Sequence, residues 1–120
     1  MLKTVLLILT LTGDGGTRVT LTDSDSPADC EASREVVSQI LTEAGSPPLL
    51  ARCGDSALRL TPFVHGTPPE AEVHRYRVEL PAAGGFTVHP LAPGETCTPA
   101  PEADPAVHCA RSGQSVLADG

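Results

Sequence analysis

The sequence predicts an α+β domain, one helix packed across an antiparallel sheet. Three stretches carry that prediction. "TVLLILTL" and "TRVTLTD" read as two strands about a Gly/Asp turn, "SPADCEASREVVSQILTEAGSPP" as one capped helix, and "VHRYRVELPAAGGFTVHPL" as a second hairpin. With two further short strands between helix and second hairpin, the order is β-β-α-β-β-β-β over residues 1–91. A Pro-rich irregular C-terminal extension follows over residues 92–120.

Size and composition set the frame. A chain of 120 residues with 40% apolar content supports one modest core. The only aromatic residues are Phe63, Tyr76 and Phe86, so Leu, Val, Ile and Ala must fill the interior. A net charge of −7 with a single lysine, Lys3, argues against general nucleic-acid binding, which needs clustered cations to neutralise phosphates.

The opening "MLKTVLLILTLTGDGG" raises two readings. A membrane span needs about 20 apolar residues, and the run from Val5 stops at Gly13-Asp14. A secretory signal would take Lys3 as its charged start and Val5 to Leu11 as its apolar stretch, but no A-x-A-like site follows. Instead Val19 and Leu21 alternate with Arg18, Thr20 and Thr22, which favours the hairpin. Because both faces of Thr4 to Leu11 are apolar, that strand belongs in the middle of the sheet.

The helix has both of its ends written in the sequence. Ser26 serves as N-cap, Pro27 as the first helical residue and Asp29 as an acidic group in the first turn, while Gly45 and Pro47-Pro48 stop it. At 100° per residue, Cys30, Val37, Ile40, Leu41 and Ala44 share one stripe, so Cys30 faces the sheet. Next, "LLARCG" and "ALRLTPFV" read as short strands joined through Gly54-Asp55-Ser56. Pro62 bends the second or places it at an edge. In the second hairpin Tyr76, Val78 and Leu80 share one face, Arg75, Arg77 and Glu79 the other, and Gly84-Gly85 makes the turn.

Motifs of chemistry are sparse. "GDGGT" has glycines but neither the lysine nor the following helix of a phosphate loop. Neither a G-x-S-x-G elbow nor an H-E-x-x-H helix occurs. His65, His74, His89 and His108 with the four cysteines are the raw material for a zinc site or a Cys–His dyad, yet no C-x-x-C pair organises them. The acidic pieces "DSDS" and "PEAD" do not follow a calcium-loop order and read as solvated turns. "HRYR" is the one local concentration of positive charge. Arg75 and Arg77, with Arg59 on a neighbouring strand, form the candidate binding patch for a carboxylate or phosphate; the competing reading is an ordinary charged sheet face.

Four cysteines permit three pairings. Cys30 on the buried helix stripe and Cys53 at the end of the following strand come within reach of each other. Cys97 and Cys109 bracket the polar loop "TPAPEADPAVH", where a bridge stabilises by roughly 2–3 kcal/mol. In a reducing cytosol both pairs would be thiols.

The sequence does not specify an activity. Its first reading is a small non-enzymatic binding or accessory module with no catalytic residue, metal ligand or cofactor assigned. A disulfide-stapled envelope or secreted domain, and a Cys/His zinc module or enzyme, are the alternatives. No transmembrane segment is expected; a protein partner is left open; and cytoplasmic placement is preferred over a periplasmic or secreted one.

Overall fold

The computed structural model describes residues 3–12, 16–45, 47–58, 60–61, 71–92 and 94–116. Strands β1 (Lys3–Leu11) and β2 (Thr17–Ser24) precede helix α1 (Pro27–Glu43). They are followed by β3 (Leu50–Ser56), β4 (His74–Leu80), β5 (Thr87–Pro90) and β6 (Ala106–Ser112). The strands form one six-stranded sheet in the spatial order β3-β1-β2-β6-β4-β5. Among the described residues no helix is long and apolar enough to cross a membrane.

The α+β class stands, but the sheet is mixed rather than purely antiparallel. Two antiparallel groups, β3-β1-β2 and β6-β4-β5, meet at a parallel seam that pairs Arg18 with Arg111. The seam follows from connectivity, since β6 pairs antiparallel with β4 over seven residue pairs and in that direction runs alongside β2. The element order matches β-β-α-β-β-β-β, yet its members differ from those expected. Gly54-Asp55-Ser56 is not a turn: β3 runs straight through it, pairing Gly54, Asp55 and Ser56 with Val5, Thr4 and Lys3. Gly54 serves packing, because a Cβ there would meet the Phe86 ring at 2.9 Å. Within "ALRLTPFV" Leu60 makes an isolated bridge to Val116, while Arg59 and residues 62–64, Pro62 among them, lie outside the described residues. Phe63 and His65 lie outside the described residues, as does the Gly13-Asp14 part of the first turn.

The final strand instead comes from the extension read as irregular. Its inward positions, Ala106, His108 and Ala110, oppose Leu80, Val78 and Tyr76. Ala110 opposite leaves room for the Tyr76 ring, which is 1% exposed, and Ala, His and Ala do not advertise themselves as a hydrophobic strand.

Both faces of β1 are buried, as its composition requires. Val5, Leu7 and Leu9 join Val19, Leu21, Tyr76, Val78, Leu80, Phe86 and Val88 in the main core on the inner face of the sheet. The first and last strands of the sheet contribute to the same core, so the sheet curls on itself. Arg52 of β3 ties the curl, its Nη1 donating to the carbonyls of Pro81 and Gly85 in the β4–β5 connection at 2.9 Å each. There Gly84 and Gly85 take positive φ, which fits the expected glycine turn.

On the outer face of β1, Leu6 and Ile8 pack with Cys30, Val37 and Leu41 of α1. The helix is capped as written, with the Asp29 N–H donating to Ser26 Oγ at 3.1 Å. Ile40 departs from the expected stripe and is 57% exposed, because it lies on the flank of the arc centred on Cys30, Val37 and Leu41. Cys30 is bonded to Cys53, and Cys97 to Cys109. The first bridge fastens helix to sheet; the second fastens the loop after β5 to β6.

Where β2 and β6 diverge past their single pair, Gln114 continues the connection with its side chain. Its Oε1 accepts from the Leu21 N–H at 3.0 Å, and its Nε2 donates to the carbonyls of Leu21 and Thr61 at 3.0 and 2.7 Å. The Tyr76 hydroxyl donates to the Gln114 carbonyl at 2.6 Å. These bonds satisfy a polar side chain that is 2% exposed.

Candidate functional site

The outer face of β2, β6 and β4 carries a row of arginines. Arg18 opposes Arg111 across the parallel seam, and Arg111 opposes Arg75 across the antiparallel pair, so all three project to the same side. Arg77, two residues beyond Arg75, continues the patch opposite Cys109 of β6 and His89 of β5. Half of the chain's eight Lys and Arg residues thus gather on three adjacent strands of an acidic protein. Like charges directly opposite one another destabilise a sheet by a few tenths of a kcal/mol or more. Stability alone does not call for such a row.

Carboxylates stand at two edges of the patch. Glu72, just before β4 and 5% exposed, accepts from Arg18 through both oxygens, Nε to Oε2 and Nη2 to Oε1, the latter at 3.0 Å. This forked hydrogen bond raises the Arg18 pKa, against the lowering effect of burial and with the help of the Glu72 charge. Arg18 is therefore a fixed cation with its carboxylate already in place. Farther along, Glu79 lies 3.4 Å from Arg77 Nε and 3.2 Å from His89 Nε2.

Arg75 differs from both. It is exposed, its Nη1 donates to the Glu95 carbonyl at 3.0 Å, and among the described residues it has no carboxylate partner. One neutral hydrogen bond orients the guanidinium while leaving most of its donors to other ligands. Arg111 beside it donates from Nη2 to Thr12 Oγ1 at 3.1 Å. A cavity of about 510 Å³ opens over this part of the row, between Thr17, Glu72, Arg75, Cys109 and Arg111. Arg75 and Arg77 thus lie side by side on the outer face of β4, as their alternation with Tyr76 and Val78 indicates. Arg59 lies outside the described residues. The sequence reading missed Arg18, Arg111 and Glu72. Arg18 was visible as a polar alternate in "TRVTLTD", whereas Arg111 fell in the stretch read as irregular.

Comparison with protein-family models, with curated proteins and with solved structures gives no match.

Proposed function

We propose that this chain is a small non-enzymatic binding module whose outer arginine row receives an anionic group, a carboxylate or a phosphate. The observation that carries this reading is Arg75. It is held in orientation by a backbone carbonyl, has no carboxylate partner among the described residues, and stands directly across from Arg111 in the wall of the same crevice. A guanidinium so placed offers parallel N–H donors to a planar or tetrahedral oxyanion. Glu72 and Glu79 restrict the positive surface to the middle of the row.

The two disulfides support a place in an oxidising compartment over the cytoplasm, because such bonds persist where thiols are not kept reduced. They also weigh against the Cys/His zinc or enzyme reading, since all four cysteines are bonded and offer neither thiolate ligand nor nucleophile.

Calorimetric titration with phosphate and with acetate at low ionic strength tests the anion reading. Binding is expected to be weak, to fall as salt is raised, and to drop at least about fivefold in the double variant Arg75→Gln, Arg77→Gln. Undetectable binding of both anions by the native protein contradicts the reading.

A further inference from the structure

Arg75 is a shared wall of two crevices at the end of the sheet where β4 begins. One is the 510 Å³ cavity over the arginine row. The other, of about 360 Å³, lies between Val73, Tyr76, Pro90, Leu91 and Val116, with His74 at its margin. Val73, Arg75 and Leu91 line both, so charged and apolar spaces adjoin through these three residues. The Leu91 N–H donates to the Arg75 carbonyl at 2.9 Å, which seats Leu91 beside Arg75 on the neighbouring chain segment.

The apolar walls are uncovered. Val73 is 68% exposed, more than any other large hydrophobic residue described, and Val116 is 46% exposed. These two approach the same space from different parts of the chain, Val73 from the entry to β4 and Val116 from its bridge with Leu60. Exposed apolar side chains converging on a crevice beside a cation that has no carboxylate partner among the described residues form a surface of mixed character. A purely inorganic anion would use only its charged part.

We infer that the site takes a small amphipathic carboxylate, with its carboxylate on Arg75 and its hydrocarbon portion in the crevice between Val73, Leu91 and Val116. This deepens the anion-binding reading and rests on it. A crevice of 360 Å³ falls in the range of small-molecule sites. Arg75 sets the polarity of the ligand, because its fork matches a carboxylate. The crevice sets the preference for chain length, because each methylene withdrawn from water into a half-open apolar wall raises affinity by about twofold, and by about fourfold where burial is complete.

A homologous series decides the matter. The disulfide-bonded full chain is titrated with acetate, butanoate and octanoate, and with 1-octanol as the uncharged control, with binding followed by residue-resolved NMR shifts. Affinity is expected to rise at least about tenfold from acetate to octanoate, with shifts at Val73, Arg75, Leu91 and Val116. Arg75→Gln should erase the advantage of octanoate over 1-octanol. Val116→Ser, at a residue that lines only the apolar crevice, should reduce the chain-length dependence while leaving acetate binding within about twofold. Equal affinity for acetate and octanoate overturns the inference and leaves the anion reading intact. So does a gain with chain length that is undiminished in Val116→Ser, or octanoate shifts confined to the helix side of the sheet. Absence of binding by every carboxylate and by phosphate overturns both.

Discussion

The outer face of the sheet is divided into two halves with opposite solutions to the same problem. Over β1 and β3 it is apolar, presenting Leu6, Ile8, Ala51 and Cys53, and α1 covers it, held by the Cys30–Cys53 bond. Over β6 and β4 it presents Arg111, Arg75 and Arg77, whereas α1 packs on β3, β1 and β2. The second half is stapled too, but its bond, Cys97–Cys109, fastens a loop rather than a helix and leaves Arg75 exposed. The helix-covered half invests its outer side chains in stability. The open half carries opposed like charges, which do not serve stability, and is therefore where function is to be sought.

Removing the staples one at a time should separate these roles. The pair Cys30→Ala, Cys53→Ala is expected to lower stability by about 3 kcal/mol, from the loop it closes and from loosening α1 over Leu6 and Ile8. Denaturant unfolding measures this, and anion binding by the folded fraction should be unchanged. The pair Cys97→Ala, Cys109→Ala closes a shorter loop and should cost slightly less. It should also weaken anion binding, because Glu95, whose carbonyl orients Arg75, lies two residues before Cys97. Equal effects of both pairs on binding would break the proposed division.

A smaller effect is expected from Glu72→Gln. The substitution keeps the shape but removes the charge that faces Arg18, and with a side chain so buried the loss should be about 2 kcal/mol. Thermal unfolding reads the stability. In the same variant anion affinity should rise, because the patch gains a net positive charge.

The smallest effect concerns the inner face. Burial raises the pKa of the Tyr76 phenol above its ordinary value of 10.0. A raised folded-state pKa means that the stabilisation is fully present below pH 10 and is lost as pH climbs through the folded pKa. Tyr76 is the sole tyrosine, so ultraviolet titration of phenolate reports it directly. Tyr76→Phe should cost about 1 kcal/mol through the lost hydrogen bond to the Gln114 carbonyl, and should remove that alkaline loss of stability.

Local patterns made the helix-covered half largely legible in the sequence. Apolar residues on both faces of β1 specified a central strand, Ser26, Pro27 and Asp29 specified the helix start, and the placement of Cys30 beside Cys53 followed from packing one on the other. Arg75 and Arg77 were legible for the same reason, by alternation with Tyr76 and Val78. The rest depends on pairing between distant segments. Nothing local in "AVHCARS" marks a strand that inserts between β2 and β4, because its inward residues are two alanines and a histidine, so Arg111 could not be set beside Arg18 and Arg75. Gln114 is equally silent, since a side chain that stands in for a strand's backbone has no sequence signature. Gly54 misled by its type: glycine, aspartate and serine together suggest a turn, whereas here glycine clears space for Phe86.

The division of the outer face is tested most directly by mapping phosphate binding residue by residue, with backbone and guanidinium NMR signals followed through a titration at low salt. Saturable shifts are expected to gather at Arg75, Arg111 and Arg77, while Arg34 on the helix and Lys3 on β1 stay unmoved. Shifts spread evenly over every cation, or centred on Arg34 and Lys3, would contradict it.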